Sequence, residues 1–138
     1  MRRPLGTTTP VPQTWDALAT LLVDLGVSIL NTVCQPEVLT VYRLAIAESD
    51  RAPEIARTLD SNGREANQKA LTELVRKAQS LGLISAGDPG ALAARYISVL
   101  WGDLLIQLLM RVREAPSKRE IEVRARAAME TLMVDASA

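Results

Sequence analysis

The chain predicts an all-α fold, and three observations carry that expectation. From Thr14 onward the apolar residues recur at the 3.6-residue helical period. No stretch alternates polar and apolar residues over the length of a strand, and the segments are separated by residues that start or stop helices rather than by hairpin turns. With 138 residues, 48% hydrophobic and 23% charged, the chain has the length of one domain and enough apolar side chain for one core. Residues 1–13 read as a loose arm, because Pro4, Gly6, Pro10 and Pro12 interrupt any period, and residues 14–138 read as the folded domain.

Six helices are expected in order. The first starts at Thr14, an N-cap hydroxyl with Asp16 in the first turn, and runs to about Cys34 with Trp15, Leu18, Leu22, Leu25 and Ile29 on one stripe. Gln35-Pro36 ends it, and Pro36 opens a second helix that carries Val38, Val41, Tyr42, Ala45 and Ile46 to about Asp50. A short third helix from Pro53 ends near Gly63, with Ile55 and Leu59 as its anchors. The fourth runs from about Arg64 to Leu81, turning Leu71, Leu74, Val75 and Ala78 inward, with Gly82 as a suitable C′ residue. Asp88-Pro89 opens a fifth helix reaching about Arg113, whose Arg111 and Arg113 suit the negative end of the helix dipole. The sixth begins with a Ser117…Glu120 capping box and runs to near Val134, with Glu120–Arg124 and Glu122–Arg126 paired at i, i+4.

Composition removes whole classes of chemistry. There is no histidine, so the commonest general base and metal ligand is missing, and the single Cys34 cannot form an intramolecular disulfide or a cysteine-rich zinc site. Its sequence neighbours Val33 and Gln35 offer no cation to activate it, so a buried, inert thiol is expected. No phosphate-binding loop, metal motif or acid–base pair is visible, and neither an enzyme nor a cofactor is expected. Sixteen basic and sixteen acidic residues cancel, which disfavours direct contact with nucleic acid. Met1-Arg2-Arg3 leads into prolines, a glycine and threonines rather than an apolar run, so no export signal is seen and the cytoplasm is the expected location.

The fifth helix departs from the ordinary one-faced pattern, since Tyr96 to Met110 is apolar nearly all round. The run is shorter than the roughly 20 residues of a bilayer span, contains Asp103 and Gln107, and is flanked by Arg95 and Arg111, so no membrane crossing is expected. A domain this small has few fully surrounded positions, which favours a helix with one side in its own core and the other against a second copy. Leu100, Leu104, Leu108, Ile121, Ala125, Ala128 and Leu132 are the residues expected at that homodimer interface. Gly102 is expected to allow close approach of a neighbouring helix, with Asp103 capping or bonding across the packed interface. A cavity for a small apolar molecule is expected where the inward stripes of the first, second, fourth and fifth helices converge, with Leu22, Leu25, Ile29, Tyr42, Leu71, Val75 and Trp101 as candidates. A closed leucine core satisfies the same stripes. Tyr42 and Trp101 rank above the others because each joins an apolar body to a hydrogen-bond donor.

The order of these helices, with the segment Arg43-Leu44-Ala45-Ile46-Ala47-Glu48-Ser49-Asp50-Arg51-Ala52-Pro53-Glu54-Ile55-Ala56 and the later Trp101-Gly102-Asp103-Leu104-Leu105, resembles the C-terminal ligand-binding and dimerisation domain of TetR-family transcriptional regulators, AefR-like subgroup, over about residues 14–134. The resemblance implies a six-helix bundle whose last two long helices form a four-helix bundle with a second copy. It also implies a repressor in which an apolar effector is sensed here while a helix-turn-helix module reads the operator. The arm over residues 1–13 stands where that module is expected. Two functions therefore follow: an effector-sensing regulator domain, or a headless protein that heterodimerises with full-length relatives and does not bind DNA itself.

Overall fold

The computed structural model describes residues 11–133. Most of the arm expected over 1–13, and the expected end of the last helix near Val134, lie outside those residues. The described part is helical: α1 (Trp15–Val33), α2 (Pro36–Ala47), α3 (Pro53–Asp60), a π-helical segment (Ser61–Glu65), α4 (Ala66–Ser80), α5 (Pro89–Trp101), α6 (Leu104–Leu109) and α7 (Lys118–Glu130). The π segment joins α3 to α4 without a break, so six separate helices stand among the described residues.

These are not quite the six expected. Gly63 does not end a helix: one wider turn accommodates it, and the rod continues from Pro53 to Ser80. The break comes instead at Gly102, inside the expected fifth helix, where φ is +48° and ψ is −128°, a conformation open to glycine and costly for other residues. A Cβ on Gly102 would meet only Arg124 Nη1, at 3.4 Å, so the residue serves a change of chain direction rather than close helix approach. Asp103 is exposed and its side chain makes no cap hydrogen bond within the chain.

The local signals for helix ends act through identifiable hydrogen bonds. Thr14 Oγ1 accepts from the Ala17 amide at 3.2 Å, Asp88 Oδ2 from Ala91 at 2.9 Å, and Ser117 Oγ from Glu120 at 3.1 Å. At the end of α4, Gly82 takes the left-handed conformation (φ +73°). Its amide bonds the Gln79 carbonyl and the Leu83 amide bonds that of Ala78, closing the helix in a Schellman motif. The loop that follows is held by Gln79 Nε2, which donates to the carbonyls of Ser85 and Gly87, and by the Ser85 amide, which donates to Leu132 beyond α7.

The core is built where α1 lies along α7 and α5 packs against both α4 and α7. Leu18, Leu22, Leu30, Leu71, Val75, Tyr96, Leu100, Leu104 and Leu132 are its largest fully buried side chains. Alone, α1 has the length and apolarity of a membrane-crossing helix, but here its apolar residues serve as the central element of this core. Val11, from the end of the expected arm, also packs against it.

Gly26 marks the tightest point. A Cβ there would sit 2.8 Å from Tyr96 Oη, 2.9 Å from Ala125 Cβ and 3.0 Å from Leu100 Cδ1, so the absence of a side chain lets α1 approach α5 and α7 together. At this crossing the Tyr96 hydroxyl donates to the Leu22 carbonyl at 2.5 Å, which satisfies a phenol that is otherwise wholly buried. Burial of that phenol pushes its pKa far above the usual tyrosine range. A Gly26→Val substitution is expected to lower unfolding stability by about 3 kcal/mol through overpacking, read as a fall in the urea midpoint at unchanged slope.

Candidate functional site

The residues expected to hold a ligand are not gathered around one cavity. Leu22, Leu71 and Val75 are fully buried and Ile29 nearly so; all four belong to one closed core, with Leu25 and Trp101 half-buried at its edge. Tyr42 stands apart from them, with its hydroxyl 3.7 Å from where a Cβ on Gly63 would lie, beside the Asp60–Arg64 ion pair. Burial, reinforced by the negative charge of Asp60, pushes its hydroxyl above the usual range. Arg64 in turn holds the Asp60 carboxyl below its usual value by hydrogen bonding.

The residues expected at a dimer interface are likewise packed inside this one chain. Leu100, Leu104, Ala125, Ala128 and Leu132 are fully buried, and Leu108 and Ile121 nearly so. The stretch over 96–110, broken at Gly102, does have two apolar sides, but the outward one is carried by Ile106 and Met110, which are 58% and 64% exposed. Val112 and Val123 are exposed to the same degree.

Two concave surfaces lie elsewhere. The larger, about 730 Å³, is a groove between the first half of α1 and the end of α7, lined by apolar Trp15, Ala19, Val23, Met129 and Met133 and by polar Asp16, Thr20, Asp24, Arg126 and Glu130. Its volume falls within the range of sites for drug-sized molecules. Its lining follows from helical spacing: residues 15, 19 and 23 share a face of α1, as do 126, 129 and 130 of α7. Residues 16, 20 and 24 form the hydrophilic edge of the same groove.

The smaller cleft, about 310 Å³, lies between α2, the end of α6 and the connection to α7, and Arg43, Arg111 and Arg113 line it with Cys34 and Thr40. Its arginines are differently engaged. Arg43 reaches across from α2 to donate to the carbonyls of Leu108 (2.8 Å) and Leu109 (3.0 Å), closing the C-terminal end of α6. Arg113 pairs with Glu120 at 2.6 and 3.0 Å. The expected capping box is thus half formed: Ser117 caps α7, while the Glu120 carboxylate faces Arg113 and Arg124. Arg124 also donates to the Trp101 carbonyl at 3.1 Å, tying α7 to the last turn of α5. The dipole role expected of Arg111 and Arg113 is filled by Arg43, from a different helix.

Cys34 is half-buried, and burial pushes its thiol above the usual range although Arg113 and Arg124 act in the opposite direction. Those cations come from 79 and 90 residues along the chain and could not be seen beside Cys34 in the sequence. No group of histidine, cysteine, aspartate or glutamate side chains suited to a metal is present among the described residues.

The pairing around Glu120 has a consequence with pH. Hydrogen bonding from Arg113, then from Arg124, holds the Glu120 carboxyl below its usual range. Its contribution to stability is therefore complete above the ordinary carboxylate pKa and is lost as pH falls through the lowered folded-state value. Urea midpoints from pH 7 down to pH 3 should fall less steeply for Glu120→Gln than for the native chain, with a difference at pH 7 of about 1 kcal/mol for the two partly exposed pairs.

Residues 20–135 match the family described as AefR-like transcriptional repressor, C-terminal domain. A solved structure from Mesorhizobium loti MAFF303099, assigned to the TetR-family transcriptional regulators, is similar over 87% of this chain and 66% of its own, with 25% identity and a TM-score of 0.73. The flavonoid-responsive regulator FrrA shares the fold at 23% identity and a TM-score of 0.73, over 96% of this chain and 69% of its own. The chain thus spans about two thirds of the length of each of these regulators. No curated protein sequence matches it. On the match over most of its length, and with the helical architecture in agreement, the chain belongs to the AefR-like C-terminal domains of the TetR-family transcriptional regulators.

Proposed function

We propose that this chain is the effector-sensing and dimerisation domain of a TetR-type repressor, responsive to a small apolar molecule and working in the cytoplasm. The family match over residues 20–135 is the observation that carries the reading, and the groove between α1 and α7 supplies a place for the effector. Trp15, Val23, Met129 and Met133 offer an apolar bed, the two methionines being able to adapt to ligands of different outline. Thr20, Asp24 and Arg126 at its edge offer polar anchors. FrrA is named for its response to flavonoids, and a flavonoid is accordingly the first probe to offer. The ligand residues read from the stripes are revised in this proposal: Leu22, Ile29, Leu71 and Val75 support the groove as core, and the ligand meets Trp15, Ala19, Val23, Met129 and Met133.

The second copy is proposed to pack on the outward side of α6 and α7, through Ile106, Met110 and Val123, since isolated monomers seldom leave apolar side chains of this size so exposed along one short stretch. DNA reading is assigned to another module of the regulator, in keeping with the zero net charge of this chain. An effector is sensed, in this arrangement, by favouring one of two dimer geometries.

A thermal-shift panel of flavonoids and other apolar compounds tests the groove. An effector at a hundred times its Kd adds about 2.7 kcal/mol to stability and raises Tm, and Val23→Trp, which fills the groove, abolishes the rise. A rise that persists in Val23→Trp contradicts the assignment. Sedimentation of the native chain is expected to give twice its 15.0 kDa mass, with Ile106→Asp shifting it to the single-chain mass. A native chain that runs as a monomer at all accessible concentrations removes the dimer.

A further inference from the structure

We propose that the cleft between α2 and α6 is a separate binding site for a small amphipathic carboxylate, such as an aryl or short alkyl carboxylic acid in its anionic form. The lining is asymmetric in a way that selects this chemistry. Three guanidinium groups, Arg43, Arg111 and Arg113, line it, and no acidic side chain does so among the described residues, although acids and bases balance over the whole chain. Leu39, Leu108, Pro36 and Ala115 supply the apolar part of the wall. At about 310 Å³ the cleft lies at the small end of the range for ligand sites and suits one ring or a short chain with one head group.

The three cations are not equally available, and the difference defines the anchor. Arg113 is paired with Glu120, and Arg43 is held in place by the two carbonyls at the end of α6, neutral groups that leave its charge without a counter-charge. The Arg111 side chain makes no hydrogen bond or ion pair among the described residues. Its backbone is in the left-handed conformation (φ 60°) as the C′ residue of a Schellman motif, where the Arg111 amide bonds Leu108 and the Val112 amide bonds Gln107. Glycine is the residue that adopts this conformation without strain, and an arginine there retains the strain while placing an unpaired cation at the cleft. A planar guanidinium matches a carboxylate through two parallel hydrogen bonds, which Arg111 is free to form beside the fixed charge of Arg43.

The site is distinct from the groove between α1 and α7 and shares no residue with it, so it stands or falls independently of the effector reading. It does touch the proposed regulation: Arg43 of α2 holds the carbonyls of Leu108 and Leu109 at the end of α6, the helix whose outer side bears Ile106 and whose C-cap is the exposed Met110.

The test is calorimetric titration of the full chain with benzoate and octanoate, each against its neutral amide, at fixed ionic strength, with inorganic phosphate as a further arm. The carboxylates are expected to bind at least tenfold more tightly than the amides and to slow alkylation of Cys34 by a maleimide, since that thiol lines the cleft. Arg111→Gly removes the guanidinium and relieves the left-handed strain, so it should keep or raise Tm while weakening carboxylate binding tenfold or more. Equal affinity for amide and carboxylate, unchanged binding in Arg111→Gly, or binding that leaves Cys34 alkylation unaffected would each overturn the proposal. Phosphate that binds as well as benzoate would also overturn it, by showing a plain anion site with no use for the apolar wall.

Discussion

The close crossing at Gly26 is the constraint on which the rest of the architecture depends. With a hydrogen where other residues carry a Cβ, α1 settles near enough to α5 and α7 for Tyr96 Oη, Ala125 Cβ and Leu100 Cδ1 to meet at its backbone. Glycine within a helix costs about 1 kcal/mol relative to alanine in propensity, and the packing gained at the crossing offsets that cost. The Tyr96 hydroxyl then bonds a backbone carbonyl of α1, and among the described residues no buried side-chain polar atom is left unsatisfied. Three helices close tightly along this line and fill the middle of the bundle, and the two concave surfaces described lie beside it, between α1 and α7 and between α2 and α6.

Side chains from distant helices secure the ends of the shorter elements. Arg43 of α2 holds the terminal carbonyls of α6, and Arg124 of α7 holds the last carbonyl of α5 while sharing Glu120 with Arg113. These contacts let a six-residue helix and the sharp turn at Gly102 persist, although isolated helices of that length are unstable in water. They also link the apolar outer side of α6 to the cleft beside it, so that the surface proposed for pairing and the surface proposed for a carboxylate share one structural support.

How much of this was legible in the sequence follows the range of each interaction. Thr14, Asp88 and Ser117 were readable as caps, and Gly82 as a helix stop, because each acts on a backbone group within a few residues. Gly63 and Gly102 behave in opposite ways: a glycine within a helical pattern is a weak signal in either direction, and only backbone geometry separates the one absorbed by a π turn from the one with positive φ. Periodicity shows that the stretch over 96–110 has two apolar sides but not which of them faces inward, nor that the chain turns at Gly102; Leu100, Leu104 and Leu108 face the core of this chain while Ile106 and Met110 bear the exposed side. The Arg43 contacts span 65 and 66 residues and carry no local signature, so the cleft that they shape has no trace in the sequence pattern. Gly26, a lone glycine amid a strongly apolar helix, is a local sign of close helix approach that the sequence does carry.

The core along Gly26 is filled by buried side chains, and the proposed groove puts small molecules at the periphery of the domain. Methyl-resolved NMR of the chain titrated with an apolar compound that raises its Tm tests this most directly. The largest shift changes are expected at the methyls of Ala19, Val23, Met129 and Met133, with those of Leu22, Leu71 and Val75 nearly still. Large changes at these last three methyls, with the groove residues unmoved, would contradict it by placing the ligand inside the bundle.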